Sequence, residues 1–75
     1  MRDEIKGVMR EVFNVGADAI PDEISQKNFE KWDSLTHLNL IIALESRFDI
    51  SFEPEEISAM TSLGAIEGLL ARKNK

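Results

Sequence analysis

Apolar residues in this chain recur three and four positions apart, and nowhere do they alternate with polar ones for the length of a strand. Ile5, Val8, Met9, Val12 and Phe13 make one such stripe, enough for an amphipathic helix of about three turns. Asn14 and Gly16 follow as stop signals. A second helix is predicted from Asp33-Ser34 to near Phe48. Asp33 or Ser34 suits its N-cap, because a side-chain oxygen there accepts from the unpaired N–H groups of the first turn. Pro54 fits the start of a short third helix, where its missing N–H is not needed, and Glu55 and Glu56 put negative charge in that first turn. Ile57 and Met60 are its inward residues. Thr61 or Ser62 caps a last helix, with Leu63, Ile66, Leu69 and Leu70 facing in. There is no internal repeat. The pattern predicts an all-α four-helix bundle, three main helices and one short one, in a single domain over 1–75.

Three segments depart from a simple bundle. Residues 14–33 carry no sustained period, which is long for a structureless connection in a compact domain. Ile20, Ile24, Phe29 and Trp32 are predicted to pin this loop to the core, and a short helical turn can sit inside it. The second helix is apolar over too wide an arc. Leu40, Ile41, Leu44 and Phe48 share a core face, while Leu35, Leu38 and Ile42 fall on an adjacent sector. Either two neighbours cover that helix, or part of the arc is left for a ligand or partner. In the last helix, Gly64 and Gly68 weaken the helix by about 1 kcal/mol each relative to alanine, but would let another backbone approach closely.

Composition removes whole classes of chemistry. The 75 residues include no cysteine and one histidine, so a disulfide framework, a thiolate zinc site and a histidine metal cluster are all excluded. The formal charge of −5 argues against nucleic acid and anionic membrane surfaces, and for basic protein surfaces. The charge is concentrated. Residues 33–67 hold seven acids and only Arg47, whereas residues 68–75 hold Arg72, Lys73 and Lys75 and no acid. No stretch is long and apolar enough to span a bilayer. The start, Met1-Arg2-Asp3-Glu4, is charged and unlike a signal peptide, so the cytoplasm is the expected location.

The sharpest local feature is Trp32-Asp33-Ser34-Leu35: a serine at the mouth of a helix, after a long loop, preceded by a carboxylate. Helix N-termini offer unpaired N–H groups and about half a positive charge, a ready site for a phosphate. Ser34 has no evident base of its own, so it suits modification by another enzyme better than attack by itself. His37, one turn on, completes no triad, because no third orienting group or oxyanion site is visible. It is expected to be a half-buried or surface histidine. Trp32 is expected to anchor the loop, with contact to a ligand or partner as the alternative. Glu53, Glu55 and Glu56 read as a solvated acidic face, with weak divalent-cation binding by the clustered oxygens as the alternative; nothing resembles an ordered calcium loop, and no defined metal site is expected. Ile42, Ile57 and Met60 are candidate lining for an apolar chain between the second and third helices, with plain core as the competing reading.

Asp33-Ser34-Leu35, then Leu38, Leu40, Leu44-Glu45, Phe48-Asp49 and Pro54-Glu55-Glu56-Ile57, resemble an acyl carrier protein over nearly the whole chain. The resemblance implies that Ser34 carries covalent 4′-phosphopantetheine, transferred from coenzyme A by a Mg²⁺-dependent phosphopantetheinyl transferase. Acyl groups would then travel as thioesters on a borrowed thiol, which fits the missing cysteines. It implies no catalytic residues and no enzyme activity. It also implies that Asp33, Leu35, Leu38, Ile42 and Glu45 face partner enzymes with basic docking surfaces, and that the protein acts as a monomer. Acidic rim charges of this kind steer encounter more than they add affinity. Asn39 and Ser46 stand where fatty-acid-synthesis carriers usually have acids, and Arg47 adds a base. That departure favours a dedicated lipid, polyketide or glycan-acylation pathway. An aminoacyl, D-alanyl or peptidyl carrier shares the Asp-Ser site, and an unmodified helical interaction module with the same fold is the reading from another class.

Overall fold

The computed structural model describes residues 2–73, so Lys75 of the basic tail lies outside the described residues. The chain forms α1 (Arg2–Phe13), a 3-10 turn (Ala17–Ala19), α2 (Ser34–Phe48), α3 (Pro54–Ala59) and α4 (Leu63–Lys73). Each boundary has a local cause. Asp33 caps α2 from an extended conformation, its side chain accepting from the Thr36 amide. Both α1 and α2 end on a residue in the left-handed region, Asn14 at φ 57° and Asp49 at φ 54°. These short polar residues tolerate it better than others do. In each case the next amide reaches back: Val15 N–H donates to the Arg10 carbonyl and Ile50 N–H to the Glu45 carbonyl. Gly16, although a stop signal in the sequence, has no positive φ.

One apolar cluster holds the helices. Ile5, Met9 and Phe13 from α1 meet Leu40, Ile41 and Leu44 from α2, and α4 adds Leu63, Ile66, Leu69 and Leu70. These are the faces that the helical spacing marks out. Burial of that kind supplies most of the stability of such short helices. At the α1 end, Arg2 makes a two-point contact with Glu67 of α4, at 2.7 and 3.1 Å.

The loop between α1 and α2 is tied at many points. Ile24 is fully buried, Trp32 is 2% exposed and Ile20 is 4% exposed. Phe13 packs on both Phe29 and Trp32, with ring centroids 5.1 and 5.7 Å apart. Two backbone bonds also join the loop to the start of α4: Gln26 N–H to the Thr61 carbonyl, and Leu63 N–H to the Ile24 carbonyl. They flank a bridge between Ser25 and Ser62, the only extended pairing among the described residues.

Two expectations are corrected here. Apart from the chain neighbours and the backbone of α4 itself, no atom lies within 4 Å of where a Cβ would sit on Gly64 or Gly68, so these glycines do not seat a neighbouring backbone. They instead line an open groove of about 590 Å³ between α3 and α4. The expected apolar lining is also divided. Met60 borders that groove, Ile57 and Ile42 do not, and Ile42 is 64% exposed on the outside of α2.

Candidate carrier site at the start of helix α2

The mouth of α2 is built by Asp33. Its Oδ1 accepts from the Thr36 amide at 2.8 Å, and that bond is the largest influence holding its carboxyl below the ordinary carboxylate value. The cap is therefore filled by Asp33 and not by its neighbour. Ser34 is the first helical residue and is exposed, and among the described residues its hydroxyl has no hydrogen-bond partner. The helix begins under it, so the positive end of the dipole and the unpaired first-turn amides lie beside its oxygen. A phosphodiester fits there: the hydroxyl is accessible, and the nearby carboxylate already has a donor.

From that point an exposed apolar stripe runs along α2. Leu35, Leu38 and Ile42 are 70%, 54% and 64% exposed, while Leu40, Ile41 and Leu44 behind them are buried. The spacing of three and four residues places the first set on one face. The surplus arc seen in the sequence is thus left uncovered by the rest of the fold. Asp33 stands at one end of this stripe. Glu45 continues it at the other end but is half-buried, and its Oε2 accepts from the Phe52 amide at 2.9 Å. That bond holds the turn between α2 and α3, a role that sequence reasoning missed because the partner is a backbone group. Asn39 and Ser46 are exposed.

His37 is also placed differently from expectation. It is 8% exposed and bonded on both ring nitrogens, to Trp32 and to Ile57. It is committed to structure, and nothing links it to the Ser34 hydroxyl. The signal that could have found this was Trp32 five residues earlier, an indole N–H that needs a buried acceptor. The acidic face beyond α2 is only partly solvated. Glu53 and Glu55 are exposed, but Glu56 accepts from the Glu53 amide at 2.7 Å and pairs with Lys73 at 3.0 Å. Among the described residues no group of three acidic or histidine side chains is arranged to hold a metal ion.

No family model matches the chain. Among solved structures it is similar to the solution NMR structure of the holo acyl carrier protein from Geobacter metallireducens. The two are 32% identical, the match covers 96% of this chain and 87% of that one, and the TM-score is 0.78. The chain belongs to the acyl carrier protein family. It is a carrier and not an enzyme, as the resemblance implied. The all-helical bundle of this acyl carrier is the expected architecture, with the long loop between α1 and α2 and the short α3. No helix among its described residues is long and apolar enough to cross a membrane.

Proposed function

We propose that Ser34 is the attachment site of 4′-phosphopantetheine and that the protein carries acyl groups to partner enzymes. The single observation that carries this reading is the exposed Ser34 hydroxyl at the first position of α2, beside a cap already filled by Asp33. The likeness to a holo acyl carrier protein supports it. When bound, such an arm supplies a thiol that holds an acyl group as a thioester. This chain's own residues do the rest. Ser34 fixes the point of attachment on a rigid helix, the first-turn amides of α2 stabilise negative charge on the phosphate, and Asp33 keeps the turn in place.

The partner-facing surface is Leu35, Leu38 and Ile42, with Asp33 and Glu45 at its two ends. Exposed apolar side chains in such a row mark a docking surface. The acidic rim favours enzymes with basic surfaces, beginning with a phosphopantetheinyl transferase. Because Asn39 and Ser46 add no charge to this helix, the electrostatic attraction is narrower than an all-acidic α2 would give. We assign the protein to a dedicated lipid, polyketide or glycan-acylation route in the cytoplasm, acting as a monomer.

The test is intact-mass measurement after incubation with coenzyme A, Mg²⁺ and a broad-specificity transferase. A gain of one phosphopantetheinyl group in the wild type, absent in Ser34→Ala, is the expected result. No gain with several transferases would show an unmodified interaction module. If the modified protein is charged by an amino-acid-activating enzyme and not by an acyl-activating one, the cargo is an aminoacyl group.

A further inference from the structure

His37 lies one turn beyond Ser34 with its ring buried, and its two hydrogen bonds are of different kinds. The Trp32 indole nitrogen is 2.9 Å from Nδ1, and the Ile57 carbonyl oxygen is 2.9 Å from Nε2. An indole N–H can only donate. Nδ1 must therefore accept, and the ring proton belongs on Nε2, where it donates to the Ile57 carbonyl. One neutral tautomer satisfies both partners. The other would leave Nδ1–H facing the indole N–H, and a bare Nε2 facing a carbonyl oxygen.

The two partners come from separate parts of the chain. Trp32 ends the long loop, two residues before Ser34. Ile57 belongs to α3, which is six residues long and contains no buried side chain. A helix that short has little stability of its own. Its late carbonyls lack partners within the helix. The Ile57 carbonyl receives the Met60 amide at 3.2 Å and the His37 N–H as well. Among the described residues, the other polar tie of α3 to the rest of the fold is the Glu56–Lys73 pair.

We infer that His37 is a positioning residue that latches α3 to the serine end of α2, and that α3 opens as a local unit when the latch is broken. The latch joins the segment that presents Ser34 to the helix beside it, so a displacement of either is felt by the other. This does not depend on what Ser34 carries.

The test is amide hydrogen exchange on the full chain, reading Ile57 in α3 and Met60 at its C-cap against Leu44 in α2 and Ile66 in α4. An asparagine amide reaches the place of Nδ1, and a glutamine amide the place of Nε2. His37→Asn should keep the Trp32 bond and lose the Ile57 bond, and His37→Gln should keep the donor to Ile57. Loss of one hydrogen bond makes local opening about tenfold more frequent. Ile57 and Met60 should therefore exchange about tenfold faster in His37→Asn, and no more than about threefold faster in His37→Gln. Equal acceleration in the two variants, acceleration shared by all helices, or no change in His37→Asn overturns the inference. Nitrogen NMR of the wild-type ring is a second arm that needs no variant to fold. It should show the proton on Nε2, and a proton on Nδ1 overturns the inference as well.

Discussion

The loop between α1 and α2 and the helix α3 invert the usual ranking of regular and irregular structure. The loop has one 3-10 turn and no sustained pattern, yet it buries Ile20, Ile24 and Trp32. α3 has regular helical bonds and a favourable start at Pro54, yet none of its six side chains is buried. Backbone hydrogen bonds exchange for bonds to water on unfolding, and each contributes little net. Removal of apolar surface from water contributes about 25 cal/mol per Å². The irregular segment should therefore be the firmer of the two, and α3 the place where this carrier yields first.

Truncating Trp32 is the harshest test of that ordering. Trp32→Ala removes the largest side chain of the loop, its contact with Phe13 and the donor to His37, and leaves His37 with an unfilled acceptor. Large-to-small core changes of this size lose about 3–5 kcal/mol. Denaturant unfolding should show a loss in that range, with the transition still cooperative. Ile57→Ala, the matching truncation in α3, removes a half-buried side chain and should lose only about 1 kcal/mol. If Ile57→Ala destabilises as much as Trp32→Ala, α3 belongs to the core and the ordering is wrong.

The same contrast explains what could be read from residues alone. Helix spacing located α1, α2 and α4 because their buried faces recur at fixed intervals, and Ile24 and Trp32 were legible as loop anchors because large apolar residues rarely stay in water. Asp33 and Ser34 were legible as a helix mouth, although which of them fills the cap was left to the structure. The bridge between Ser25 and Ser62 was not legible, since backbone bonds leave no side-chain signature. For the same reason the bond from the Phe52 amide to Glu45 was hidden, so Glu45 read as a rim charge alone. The glycines of α4 misled because a missing Cβ marks either a close neighbour or empty space, and sequence does not say which. At the candidate site, the exposed Leu35, Leu38 and Ile42 followed from an arc too wide for one core face.

The smallest effect concerns the ion pair that helps to hold α3 against α4. Glu56 has its carboxyl held below the ordinary value of 4.5, first by the Glu53 amide and then by Lys73. A carboxyl whose folded value is depressed contributes stability that is fully present above the unfolded value and is lost as pH falls through the folded one. The window is thus acidic, opening below about pH 4.5 and leaving neutral pH untouched. Glu56→Gln keeps an acceptor for the Glu53 amide and removes the charge. Its melting temperature should change little at neutral pH, because a surface pair that is only partly covered is still screened by solvent and salt. Between neutral and acidic pH it should fall less steeply than that of the wild type. Glu67→Gln, in the middle of α4, should flatten the same acid limb through loss of the Arg2 pair, since the Glu67 carboxyl is lowered by Arg2. Hydrogen exchange separates the two. The acid loss tied to Glu56 should be local to α3, while that tied to Glu67 should be shared by α1 and α4. An acid response in which both variants loosen the whole fold alike would mean that α3 does not open independently.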